Sequence, residues 1–184
     1  MNTHYLSSLF KPESVVLFGA SDKQDSVGGV VFRNLLTSGF EGRIFAINPK
    51  RDEVQGKKAY STLEEIGEPI DLAVVATPAK SIPGIVEECG EHGIKMMLIL
   101  SAGFRETGAE GRRLEDRVTQ LVKRHGIRLM GPNCLGIIRP DRGLNITFGN
   151  NNAQPGNLAF VSQSGAICTA ILDWAEKNEI GFSA

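Results

Sequence analysis

Cysteine is scarce: Cys89, Cys134 and Cys168 are the three in 184 residues, far apart and without a CxxC pair. That argues against a disulfide framework or a zinc site, and no metal is expected. Neither sign of charge prevails, with 20 Lys and Arg against 21 Asp and Glu for a net charge of −1. No basic face for nucleic acid is advertised, although local clusters such as Lys50, Arg51 and Lys57, Lys58 would serve one phosphorylated ligand. No apolar run approaches the roughly 20 residues that a membrane span requires. Residues 1–10 also lack the basic and apolar halves of a secretory signal. The expected setting is therefore cytoplasmic, with neither nucleic acid nor membrane as partner.

Another absence concerns nucleotide binding. Residues 14–29 read Ser-Val-Val-Leu-Phe-Gly-Ala-Ser-Asp-Lys-Gln-Asp-Ser-Val-Gly-Gly. Val15 to Phe18 suit a strand buried on both faces of a parallel sheet, and helical spacing begins after Gly29, with Gly39 in the place of a C-terminal cap. Strand, glycine loop and helix open a nucleotide-binding βαβ unit, where backbone N–H groups and the helix dipole attract phosphate. A dinucleotide fingerprint would need GxGxxG and an acidic residue ending the second strand. Here Gly19 is followed by Ala20 and Ser21, the next glycines are Gly28 and Gly29, and the second strand (43–47) ends in Asn48-Pro49-Lys50. A lysine there suits an extra ribose phosphate, as in NADP or coenzyme A, and the wider loop with Ser21, Lys23 and Ser26 leaves room for a diphosphate. The alternative is an ordinary α/β turn without ligand.

The alternation continues along the chain. Leu6, Leu9 and Phe10 are expected in a short turn laid across the sheet edge. Residues 50–56 read as a charged loop, and Ser61-Thr62-Leu63-Glu64 as a capping box opening a short helix. A third strand is expected at 70–76, a helix at 81–92 with Pro83 in its first turn, a fourth strand at 95–100, and an amphipathic helix at 109–124 carrying Leu114, Val118, Leu121 and Val122 on one face. Gly126 ends it before a fifth strand at 127–130. Five strands with intervening helices predict a Rossmann-like, doubly wound parallel sheet, whose ligands sit beyond the carboxyl ends of the strands. After a polar linker, residues 158–161 are strand-like and 166–177 helical, with Ile167, Ala170, Ile171 and Trp174 expected on a buried face. Another strand is expected to begin at 180–183. The expected division is a nucleotide-binding, Rossmann-like domain at 1–149, a linker at 150–156 and the first part of a second domain at 157–184. About thirty residues cannot enclose a core alone, so a piece of a longer protein is expected.

Five motifs in order carry a family resemblance: Gly19-Ala20-Ser21, Asn48-Pro49-Lys50, Ser101-Ala102-Gly103-Phe104, Gly131-Pro132-Asn133-Cys134-Leu135-Gly136, and Ser162-Gln163-Ser164-Gly165. With them the chain resembles the coenzyme A-binding domain of nucleoside-diphosphate-forming acyl-CoA synthetases, of the ADP-forming acetyl-CoA synthetase kind, related to the succinyl-CoA synthetase alpha subunit; the resemblance implies that residues 1–149 are the CoA-binding domain and 157–184 the first part of a flavodoxin-like, succinyl-CoA-ligase-like domain. The resemblance implies that the loop with Gly19, Ala20, Ser21, Ser26, Val27 and Gly28 holds the adenosine diphosphate part of CoA or acyl-CoA. Asn48 and Pro49 lead to Lys50, which would neutralise the 3′-phosphate. Thr77, Pro78 and Ala79 with Ser101, Ala102 and Gly103 would flank the adenine or pantetheine arm, and Asn133 and Cys134 the thiol end.

Each assignment has a plainer counterpart: a solvated lysine, strand-end packing, an Asn turn beside a small core cysteine. Ser164, Gly165 and Ala166 would form the amino end of a helix that steadies the phosphate of a phosphohistidine, or simply start a helix. A nucleophile elbow is disfavoured, since the GxSxG spacing is missing. His92 and His125 stand at helix ends before Gly93 and Gly126, and His4 lies near the start. None suits phosphorylation, so no catalytic residue is expected and the chain alone should bind CoA without turnover. In the family, ATP or ADP and Mg sit on an ATP-grasp domain or subunit absent here, and oligomers are possible. The same module also opens protein lysine acetyltransferases, where it would be a CoA-sensing regulator. An NADP-binding domain is the third reading.

Overall fold

The computed structural model describes residues 5–184; His4 lies outside them. Helix α1 (Tyr5–Phe10) precedes strand β1 (Ser14–Phe18), helix α2 (Val27–Thr37) and strand β2 (Arg43–Ile47). Strands β3 (Glu53–Val54) and β4 (Lys57–Tyr60) follow, then β5 (Leu72–Val75), α3 (Ile82–Glu91) and β6 (Met96–Ile99). Helix α4 (Ala109–His125) leads to β7 (Arg128–Met130), and β8 (Gly136–Arg139) pairs with β9 (Leu144–Thr147) in a hairpin. Strand β10 (Pro155–Leu158) and helix α5 (Gly165–Lys177) complete the order.

One seven-stranded sheet runs β3-β4-β2-β1-β5-β6-β7, parallel throughout except for the β3–β4 pair. Side chains alternate along a strand, so Val15 and Leu17 enter one apolar cluster and Val16 and Phe18 the other. The first cluster is closed by Leu9 of α1, by Val31, Phe32 and Leu35 of α2, and by Ile137, Leu144 and Ile146 of the β8–β9 hairpin. The second is closed by Ile82, Val86 and Cys89 of α3 and Val118, Leu121 and Val122 of α4. Both faces of the sheet are thus covered, as a doubly wound fold requires.

Several sequence expectations are corrected. Residues 50–56 are not simply a loop: Glu53 pairs with Lys58 and Val54 with Lys57 around a Gln55-Gly56 turn, extending the sheet. Residues 61–64 open no helix. The Ser61 N–H donates to Glu65, one residue later than the box predicts, while the Leu63 N–H donates to Glu88 of α3. Leu63 and Ile66 are drawn into the core, and Gly67 and Pro69 close the segment before a helical turn can propagate. Helix α2 begins at Val27, ahead of Gly29, because Ser26 caps it. Helix α1 packs against β6 rather than across the edge, with Leu9 buried and Leu6 half exposed. Strand β5 starts at Leu72, since Asp71 is occupied in accepting the N–H groups of Glu13 and Ser14 at the head of β1.

The end of the chain departs furthest from expectation. Pro155 and Gly156 belong to strand β10 rather than a linker, and β10 reaches Phe182 through parallel bridges. Of helix α5 only Ala175 is buried, while Ile167 and Trp174 are about half exposed, at 52% and 53%. Helical spacing correctly groups these side chains on a face; it does not supply a layer to cover them.

Candidate functional site

The loops following β1, β2, β5, β6 and β7 all leave the carboxyl ends of parallel strands and meet at one rim. The first is built by backbone contact. The Gly19 N–H donates to Ile47 O at 3.1 Å, and the start of α2 comes so close that a Cβ on Gly28 would stand 1.9 Å from the Gly19 oxygen. Ser26 Oγ accepts from the Gly29 N–H at 3.1 Å and donates to Lys23 O at 2.8 Å. With the third N–H of the helix capped, those of Val27 and Gly28 remain in the open first turn, where no intrahelical acceptor exists. Fixed donors at the positive end of an eleven-residue helix suit a phosphate.

Hydrogen bonds join this loop to its neighbours. The Asn48 carboxamide donates to Ala20 O at 2.9 Å and accepts from the Lys50 N–H at 3.0 Å, tying the β1 and β2 loops together. Pro49 and Lys50 are exposed, and among the described residues Lys50 has no salt bridge. A Cβ on Gly19 would reach the Thr77 methyl at 3.0 Å, placing the β5 loop alongside. Ser101 Oγ donates to Thr77 O at 2.6 Å, and the Asn133 N–H donates to Ser101 O at 3.1 Å, so the β5, β6 and β7 loops are linked in series. Ala79 faces Gly103, whose φ of +105° and 3.0 Å clearance to the Ala79 Cβ favour glycine there. Pro78 precedes the short 3-10 turn at Ala79–Ser81, and Ala102 is exposed between Ser101 and Gly103. The expected residues of the β1, β2, β5 and β6 loops, with Asn133 of the β7 loop, therefore lie in series at the carboxyl ends of the strands.

Cys134 sits half-buried behind that rim, its thiol 3.4 Å from Ile99 O, and burial pushes its pKa up to about 11. At neutral pH the protonated thiol therefore prevails, which argues against a ready nucleophile. Treatment with iodoacetamide at pH 7.5 is accordingly expected to leave Cys134 unmodified under native conditions. Labelling at the rate of a free cysteine, read by peptide mass spectrometry, would contradict this environment. The Gly131–Pro132 bond is cis, and Asn133 takes a left-handed turn with φ +55°.

Beyond the rim, Ser164 caps α5 by accepting from the Ile167 N–H at 3.4 Å, leaving Gly165 and Ala166 in its first turn. A Cβ on Gly165 would lie 3.7 Å from Leu135, so this helix start stands beside the loop that carries Asn133 and Cys134. His92 and His125 lie at the ends of α3 and α4, away from the strand ends that make the rim. Among the described residues no group of three or more His, Cys, Asp or Glu is placed to hold a metal ion, and no helix is long and apolar enough to cross a membrane.

Two contributors escape a reading of the sequence. Glu106 accepts from the Gly103 and Phe104 N–H groups at 2.5 and 3.1 Å, and these bonds hold its carboxyl below the usual carboxylate range. Gln55 reaches the β1 loop from the β3–β4 turn. The Gln55-Gly56 pair between short pairing runs was the available signal, a two-residue hairpin turn.

Comparison with known proteins gives two family matches: a "CoA binding domain" over residues 13–140 and a "Succinyl-CoA ligase like flavodoxin domain" over residues 155–184. The alpha subunit of acetate–CoA ligase [ADP-forming] I from Pyrococcus furiosus is 40% identical over 97% of the chain and 40% of its own length. A 4-hydroxybutyrate–CoA ligase [ADP-forming] from Nitrosopumilus maritimus is also 40% identical, over 97% of the chain and 26% of its own length. Among solved structures, the acetyl-coenzyme A synthetase 1 of Ca. Korarchaeum cryptofilum, in complex with phosphate and ADP, superposes with a TM-score of 0.91 at 35% identity, over 97% of the chain and 38% of the other. The chain thus spans about a quarter to two fifths of the length of these relatives.

Proposed function

The chain belongs to the CoA-binding domain family, and from that premise we propose that its strand-end rim holds coenzyme A or acyl-CoA as one part of an ADP-forming acyl-CoA synthetase. The observation that carries this is the close backbone approach of Gly28 to Gly19, which sets the uncapped N–H groups at the start of α2 directly beyond the end of β1. The residues fit the ligand. Gly19, Ala20, Ser21, Ser26, Val27 and Gly28 receive the diphosphate. Lys50, held at its backbone by Asn48, meets the 3′-phosphate as a mobile point charge. Thr77, Pro78, Ala79, Ser101, Ala102 and Gly103 line the route of the pantetheine arm, and Asn133 and Cys134 stand near its thiol. With a protonated Cys134, the chain positions the ligand's own sulfur rather than attacking it.

The whole protein would convert acyl-CoA, ADP and phosphate to acid, CoA and ATP through an acyl phosphate and a phosphohistidine. ADP and Mg would be carried on an ATP-grasp domain or subunit. Ser164, Gly165 and Ala166, beside the β7 loop, would offer helix N–H groups to the phosphorylated side chain as it approaches. The acetyltransferase and NADP readings are not favoured, because the relatives reported above are CoA ligases. Equal identity to ligases for acetate and for 4-hydroxybutyrate fits a part that grips the CoA end and leaves acyl choice elsewhere.

Calorimetric titration with CoA, dephospho-CoA and NADP tests the proposal. The chain is expected to bind CoA several-fold to about tenfold more tightly than dephospho-CoA, the margin of one charge-assisted phosphate contact in solvent. In Lys50→Ala that margin should vanish while dephospho-CoA binding stays unchanged. Preference for NADP, or no difference between CoA and dephospho-CoA in the unsubstituted chain, would overturn the assignment.

A further inference from the structure

We propose that Gln55 is a positioning residue for the phosphate-cradling loop, clamping it from the β3–β4 hairpin; this rests on the CoA-binding role given to that loop. Gln55 occupies the hairpin turn with φ +48°. Its side-chain Nε2 donates to Ser21 O at 2.8 Å and to Gly29 O at 2.9 Å. Ser21 lies on the limb leaving β1, and Gly29 lies in the first turn of α2. One carboxamide nitrogen therefore spans both limbs of the loop and uses both of its hydrogens to do so.

The backbone of the turn adds a third bond. The Gln55 N–H donates to Asp22 Oδ1 at 2.8 Å, and the other carboxylate oxygen of Asp22 faces Arg51 at 3.5 Å. The loop between residues 21 and 29 is thus held at both limbs and at Asp22 by a hairpin 26 to 34 positions further along the chain. The Gln55 side chain bonds to carbonyl groups of the loop, so it does not compete for the N–H groups of Val27 and Gly28. Ordering a glycine-containing loop costs conformational entropy, and a clamp that orders it beforehand removes that cost from binding.

Gln55→Met tests this, since it keeps the length of the side chain and removes both donors. Calorimetry is expected to show CoA and dephospho-CoA weakened by the same factor, on the order of tenfold for two lost hydrogen bonds. Lys50 is untouched, so their ratio should hold. Amide hydrogen exchange without ligand should accelerate across residues 21–29 while β1 and β5 keep their protection. Gln55→Asn, which tolerates the left-handed turn but is one methylene shorter, should weaken binding likewise. Unchanged CoA affinity in Gln55→Met would overturn the proposal, and so would exchange that rises evenly through the sheet, the mark of a merely structural residue. If the unsubstituted chain fails to bind CoA, the role of the loop falls, and the assignment of Gln55 falls with it.

Discussion

Valine in place of Gly28 is expected to abolish measurable CoA binding, a loss of a hundredfold or more. A Cβ at that position would lie 1.9 Å from the Gly19 carbonyl oxygen and 2.9 Å from its carbon. Both partners are backbone, one at the end of a buried strand and the other in the first turn of a helix packed on the sheet, so no side chain can swing aside. The start of α2 must retreat from β1, and a retreat of about 1 Å takes N–H donors out of the 2.7–3.2 Å range in which they hold an oxygen. Overpacking of this kind costs about 1–3 kcal/mol of stability, so the variant should still fold, and circular dichroism can verify that before titration. Gly28→Ala should move in the same direction. Affinity within threefold of the unsubstituted chain would show that the first turn of α2 is not the phosphate cradle.

The second large effect is on stability. Phe104→Ala is expected to cost about 3–5 kcal/mol, the usual range for emptying a fully buried aromatic site. Phe104 ends the Ser101-Ala102-Gly103-Phe104 motif, and its ring is wholly buried with Ile99, Val118 and Leu121 between sheet and α4. Its carbonyl accepts from the Thr107 N–H and hydroxyl, both at 2.8 Å, and a Cβ on Gly111 would stand 1.8 Å from that oxygen. No void can close easily there, because the backbone around the ring is pinned on both sides. Urea denaturation with an unchanged slope would measure the loss. A cost below about 1.5 kcal/mol, typical of a volume-conserving swap, would mean that the loop collapses into the space and is not anchored by this ring.

The same residue illustrates how motif and structure divide the work. As part of a motif, Phe104 marks a loop at the rim; in the fold its buried ring and its carbonyl, bonded twice by Thr107, anchor the chain directly after Gly103. Gly19, Asn48, Ser101 and Asn133 were legible as loop residues because each follows an apolar strand at its carboxyl end. Their connections were not legible. The Asn48 bond to Ala20 and the Ser101 bond to Thr77 span 28 and 24 positions, and they exist because β2 and β5 flank β1 and β6 flanks β5.

Local chemistry set the elements: uninterrupted apolar runs became central strands, Ser164 opened a helix, and Gly126 stopped α4. Those outcomes depend on interactions within a few residues, so the sequence alone could decide them. Tertiary structure decided the rest. It turned residues 53–60 into an edge hairpin, drew Leu63 and Ile66 inward instead of into a helix, and left Ile167 and Trp174 half exposed on α5. It also brought Gln55 onto the loop from Ser21 to Gly29. Periodicity states which side chains share a face, but burial and long-range hydrogen bonding depend on what the folded chain places opposite that face.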